Sequence, residues 1–155
     1  MKSVDRVRRH LKALGLDTEV VELARSTRTA QLAAEAMGAP LGSIVKSLVF
    51  LADGRPVLVL VAGDKRADPK KLERILQAKR VMMADAEKVR EATGFAIGGV
   101  PPVGHKEKLT TIVDRSLGRF DTLYAAAGAP NALFPISYEA LVRITEGLVA
   151  DVTES

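Results

Sequence analysis

Lys46 interrupts an otherwise apolar run, Ile44-Val45-Lys46-Ser47-Leu48-Val49-Phe50-Leu51-Ala52, that reads as a buried β-strand. Strand side chains alternate between faces, so Lys46 shares one with Ile44, Leu48 and Phe50, and an ammonium there needs an anion or a carbonyl as partner. A substrate phosphate or ester can supply one; the structural alternative is a snorkelling lysine with its head in water. A second group is Ile97-Gly98-Gly99-Val100-Pro101-Pro102-Val103-Gly104-His105. Two glycines let backbone approach a ligand and expose amides, and two prolines stiffen the turn, which together describe either an amide-lined cradle or a plain turn. His105 has acid–base capacity, although a lone loop histidine more often serves as a hydrogen-bonding residue. Third is Ala125-Ala126-Ala127-Gly128-Ala129-Pro130-Asn131, whose small side chains suit either a pocket wall or tight helix-on-sheet packing.

Other chemistries lack their residues. There is no cysteine, which removes disulfides, thiolate catalysis and cysteine-bound zinc, and only two histidines, His10 and His105, so neither a metal nor a cofactor is expected. The chain has no Gly-x-Ser-x-Gly elbow, and Gly38 to Ser47 lacks the Gly-Lys-Ser/Thr of a phosphate-binding loop. Lysine and arginine number 23 against 19 acids, a net charge of +4, and they cluster at Arg6, Arg8, Arg9 and Lys12 and again from Lys65 to Arg80. Lys70, Lys71 and Arg74 in the second cluster suit a phosphate backbone, with a solvated helix face interspersed with acids such as Glu73 as the alternative. Aromatics are 4% of residues, too few for a base-stacking sheet, so a nucleic acid would be held by charge and shape.

The elements that position these residues form a mixed α and β order. With 155 residues, 47% of them hydrophobic, the reading is one domain over 1–155 with a substantial core. Val4, Val7, Leu11 and Leu14 recur at helical spacing before Gly15, and Thr18 to Leu23 reads as a strand. Ser26 to Thr29 supply caps for a helix Ala30 to Met37, stopped by Gly38 and Pro40. Asp53-Gly54 marks a hairpin joining the Lys46 strand to Pro56-Ala62, apolar on both faces and therefore central. Asp68-Pro69 opens a helix to Gln77 and Asp85 another to Thr93-Gly94, with Val81-Met83 a strand between them. Further strands are expected at Phe95-Ile97, Thr111-Val113, Thr122-Ala126, Leu133-Ile136 and Leu148-Val152, with a helix at Tyr138-Ile144. The fold class is mixed α/β (α+β), a curled, barrel-like sheet flanked by helices. No apolar run approaches membrane-span length, and the charged start Met1-Lys2-Ser3-Val4-Asp5-Arg6 is unlike a signal peptide, which makes the cytoplasm the expected location.

Taken in order, Thr29-Ala30-Gln31-Leu32-Ala33-Ala34, Ile44 to Phe50, Ala62-Gly63-Asp64, Lys70-Lys71-Leu72, Thr93-Gly94-Phe95, Gly98 to Gly104 and Ala126-Ala127-Gly128 resemble the YbaK/prolyl-tRNA synthetase-associated editing-domain family. The resemblance covers nearly the whole chain. It implies a barrel-like editing domain acting freestanding as a trans-editing deacylase, which hydrolyses the ester of a mischarged tRNA. Prolyl tRNA is the implied carrier, and cysteine, alanine, serine and threonine the acyl groups. By the same resemblance Lys46 is the main functional residue, and the Gly98 to Pro102 loop, with Gly99, holds the aminoacyl end. Thr29, Val100 and Pro101 are further substrate-binding candidates within the matched segments; Ala126, Ala127 and Gly128 are candidates for the pocket wall by their small size, and His105 is a secondary candidate. Some members carry a serine where this chain has Ala126. The implied partners are the mischarged tRNA and an aminoacyl-tRNA synthetase, with no role for membrane or DNA.

The residues are consistent with such chemistry. Ester hydrolysis develops charge on the carbonyl oxygen, which preorganised amides stabilise, while Lys46 anchors a phosphate or ester oxygen and water or a ribose hydroxyl attacks. A non-catalytic tRNA-binding module and a small-molecule ester hydrolase on the same fold remain open at this level.

Overall fold

The computed structural model describes residues 2–155. Along the chain run α1 (Ser3–Ala13), β1 (Val21–Glu22), α2 (Ala30–Met37), a 3-10 turn (Leu41–Ser43), β2 (Val45–Ala52), β3 (Arg55–Ala62), α3 (Pro69–Leu76) and β4 (Val81–Met83). They are followed by α4 (Ala86–Thr93), β5 (Thr110–Asp114), a second 3-10 turn (Arg115–Arg119), β6 (Leu123–Ala126), β7 (Ala132–Ile136), α5 (Tyr138–Thr145) and β8 (Leu148–Ala150). Helix starts follow capping chemistry: Thr29, Asp68, Asp85 and Ser137 each accept a first-turn backbone N–H.

The strands form a five-stranded sheet in the order β4-β2-β3-β5-β8 and a three-stranded sheet in the order β1-β7-β6. The two-residue turn Asp53-Gly54, with φ of 49° and 84°, joins β2 to β3 in the positive-φ geometry that matches strand twist. β3 lies between antiparallel β2 and parallel β5, and is apolar on both faces for that reason. Leu58, Leu60 and Ala62 join the core beneath α1 and α5, whereas Val57, Val59 and Val61 join Leu72 of α3 on the opposite face. This central hairpin is the rigid base from which Lys46 projects.

The expected single curled sheet is not what the strands build. Among the described residues neither sheet closes, and the two meet through one parallel bridge, Ile44 to Tyr124. Beyond that bridge β2 has no strand neighbour on its outer edge until Val49 accepts from Ala84 N–H and β4 joins at Phe50–Ala52, so a gap opens where a barrel would continue. The Thr18 to Leu23 strand contracts to Val21–Glu22, and the last strand stops at Ala150 because the Val152 N–H is taken by the Asp114 carboxylate at 2.9 Å. Phe95 to Ile97 is not a strand. Gly94 and Gly98 on either side have φ of 81° and 91°, which turn the chain, and Phe95 inserts into the core with its N–H held by the Thr93 hydroxyl at 3.0 Å. Among the described residues no helix is long and apolar enough to cross a membrane.

Candidate active site

The gap between the sheets is a cavity of about 310 Å³. Its floor is β2 from Val45 to Leu48, and its walls are the segment Thr27 to Ala30 leading into α2, the Gly98 and Val100 loop, Ala126 at the end of β6 and Leu133 of β7. The strand register determines which backbone groups face it. Gly63 N–H donates to the Ile44 carbonyl at 2.8 Å, so Lys46 and Leu48, in phase with Ile44, spend their amides and carbonyls on β3. Val45 and Ser47 turn theirs to the opposite edge, which carries the bridge to β6 and then borders the gap.

Lys46 is half-buried, and its Nζ donates to the carbonyl of Lys65 in the turn after β3. Its pKa lies below the ordinary lysine value, first because burial disfavours the ammonium and then because Arg66 repels it, with Asp64 acting in the opposite sense. The turn that holds it is itself fixed. Arg119 grips the Asp64 carboxylate with two hydrogen bonds of 3.0 and 2.7 Å, and this guanidinium holds the Asp64 pKa below the usual carboxylate range. Gly63 precedes it, and a Cβ there would overlap the carbonyl oxygen of Leu41. Only glycine lets the end of β3 pass so close to the first 3-10 turn.

Lys46, Thr29, Gly98, Val100 and Ala126, distant in sequence, border this one cavity. Thr29 also caps α2, its hydroxyl accepting from Leu32 N–H at 3.2 Å. The other expected site residues lie off the cavity. A Cβ on Gly99 would stand 2.9 Å from the backbone of Ala129, and one on Gly128, whose φ is 94°, would stand 2.9 Å from the Ser3 carbonyl, so these glycines serve chain-to-chain packing. Ala127 is fully buried in the core beside them, and Pro101 is buried in the loop. Pro102 and His105 border a separate cavity of about 230 Å³ shared with His10. There His105 Nε2 lies 2.7 Å from the Pro101 carbonyl, the geometry of an N–H donor tying down the loop. Burial pushes its pKa down, His10 adds to that, and the bond to Pro101 opposes it.

Among the basic candidates on α3, Lys71 is committed elsewhere, its ammonium bound to Asp151 at 3.2 Å and to the Thr153 carbonyl at 2.6 Å. Lys70 and Arg74 are exposed, Lys70 lying 3.8 Å from Glu73. Arg28, Thr27, Ile97 and Ser47 also border the Lys46 cavity, and the sequence pattern did not single them out. Only Ser47 carried a signal, as a polar neighbour of Lys46 in an apolar strand.

A family model described as an aminoacyl-tRNA editing domain matches residues 24–144, which include Lys46, the Gly98 loop and Ala126. The chain belongs to this family. It is 36% identical over 136 residues to "Uncharacterized protein YwhH" of Bacillus subtilis (strain 168), covering 87% of this chain and 86% of that protein. It is 28% identical to "Putative Cys-tRNA(Pro)/Cys-tRNA(Cys) deacylase EbsC" of Enterococcus faecalis (strain ATCC 700802 / V583), over 81% of this chain and 77% of the relative. Its fold superposes on the "Crystal structure of a putative trans-editing enzyme for prolyl tRNA synthetase" with a TM-score of 0.94 at 44% identity, covering 100% of this chain and 99% of that one.

Proposed function

We propose that this chain is a trans-editing deacylase, which hydrolyses the ester between a wrong amino acid and tRNA, with prolyl tRNA as the carrier and a small acyl group of the cysteine, alanine, serine or threonine class. The observation that carries this reading is the Lys46 ammonium at the edge of an apolar cavity bordered by turned-out peptide groups and by small Ala126. The names of the relatives point the same way.

In this reading the acyl group enters between β2 and Ala126. Lys46 orients the terminal phosphate or an ester oxygen. The amides of the Gly98 loop and of the open β2 edge face the carbonyl, where an oxyanion develops as water or the neighbouring ribose hydroxyl attacks. No protein nucleophile is required. A second, small pocket answers a thermodynamic limit, since one methylene distinguishes amino acids by only about 1–3 kcal/mol in a synthetase. Residues 1–155 act as one editing unit, in the cytoplasm, with an aminoacyl-tRNA synthetase as the source of mischarged tRNA.

The test is to incubate the protein with prolyl tRNA charged in turn with cysteine, alanine, serine, threonine and proline and to follow loss of the ester bond. Loss from one or more of the first four, with prolyl ester spared, is expected. Binding without ester loss would favour an RNA-binding module, and salt-independent hydrolysis of free aminoacyl esters a small-molecule hydrolase.

A further inference from the structure

Ser47 borders the cavity, yet its Oγ is shielded from solvent and has no hydrogen-bond partner, alone among the buried side-chain polar atoms of the described residues. A shielded hydroxyl without a partner costs stability, and a ligand that enters the cavity can supply one. The register explains why the protein offers none. Ser47 pairs with Leu60 across the hairpin and shares its face with Val45 and Val49, all three buried and apolar.

The other neutral polar side chains on the cavity are already engaged. Thr27 Oγ1 donates to the Pro130 carbonyl at 3.2 Å, and Thr29 Oγ1 accepts from Leu32 N–H at 3.2 Å. Only Ser47 retains its full hydrogen-bonding capacity. The residue is half-buried and lines the cavity, and its side chain reorients about χ1 alone.

We propose that Ser47 determines which acyl group the site prefers, its hydroxyl pairing with the side-chain hydroxyl of a seryl or threonyl ester. An alanyl group fits the same space and leaves Ser47 unpaired. A site with a polar group awaiting its match discriminates against analogues that lack the hydroxyl far more than a purely apolar pocket discriminates by size. The inference rests on the deacylase reading above and adds the residue that sets its selectivity.

The experiment compares single-turnover deacylation of one prolyl tRNA charged with serine and the same tRNA charged with alanine, by the wild-type chain, Ser47→Ala and Ser47→Thr. The wild type is expected to prefer the seryl ester. Ser47→Ala should lower the seryl-to-alanyl rate ratio by about tenfold, the order expected for one hydrogen bond, while Ser47→Thr, which keeps the hydroxyl, should retain it. Thermal unfolding of Ser47→Ala should be no lower than that of the wild type, because the substitution removes an unpaired group. Equal loss on both esters would overturn the selectivity role and assign Ser47 to a feature that all aminoacyl esters share, such as the ammonium. A ratio that does not move would overturn it as well. A folded wild type inactive on every mischarged tRNA would remove the deacylase reading, and this inference with it.

Discussion

At the scale of single residues, Lys46 is held as an ammonium by the Lys65 carbonyl although burial and Arg66 both disfavour its charge. Its folded pKa therefore lies below the ordinary lysine value of 10.5. The protonated form is the one that anchors substrate, so deacylation, corrected for uncatalysed ester hydrolysis, should fall as pH rises through a value below that of a free lysine. Arg66→Ala removes one of the depressing charges and should move the fall to higher pH. A rate that climbs through the same range would instead make the neutral amine the working form. Gly98 and Gly99, adjacent in sequence, separate in role: Gly98 borders the cavity against Arg28, whereas Gly99 lets the loop pass the Ala129 backbone. His105 ties down that loop through Pro101 from the far side, without bordering the cavity.

At the scale of elements, the site depends on the turn after β3 lying against the first 3-10 turn. Gly63→Ala places a methyl group on the Leu41 carbonyl oxygen, and something must shift. Overpacking of this kind costs about 1–3 kcal/mol, so denaturant unfolding should show a loss of that order, with reduced deacylation because the Lys65 carbonyl moves away from Lys46. Unaltered stability and turnover would show that the turn is not what positions the lysine. The helices were legible because their ends are written in local chemistry: Thr29, Asp68, Asp85 and Ser137 cap them, and Gly38 and Gly94 close two of them in left-handed geometry. The central hairpin was legible through Asp53-Gly54 and the two-faced apolar run of β3. What local pattern could not convey was long-range pairing. Phe95-Ala96-Ile97 has strand composition, but burial of Phe95 between two positive-φ glycines decided otherwise, and the unpaired edge of β2 depends on where β6 stops. For the same reason Lys46 was visible in the sequence, whereas Arg28 and Ser47 joined the site only once the strands were placed.

At the scale of the whole molecule, a net charge of +4 matters less than where the cations lie relative to the cavity. Lys65 lies in the turn that holds Lys46 and Arg66 follows it, whereas α3 begins further on at Pro69 and its Lys71 is already paired with Asp151. Reversing Lys65 and Arg66 to glutamate should therefore weaken tRNA binding more than reversing Lys70 and Arg74. It should also flatten the dependence of log affinity on log salt by about 0.7–0.9 for each phosphate that the protein no longer neutralises. Binding titrations over a salt series measure both effects, and a larger change from the α3 pair would move the RNA path to that helix. The most direct test of the account is single-turnover deacylation of a mischarged prolyl tRNA by folded Lys46→Ala beside the wild type. Removing the ammonium forfeits a charge-assisted hydrogen bond worth about 1.5–3 kcal/mol together with the positioning it provides, so the rate should fall by about tenfold to a hundredfold or more. Near-normal ester hydrolysis by a Lys46→Ala protein of unaltered thermal stability would contradict it.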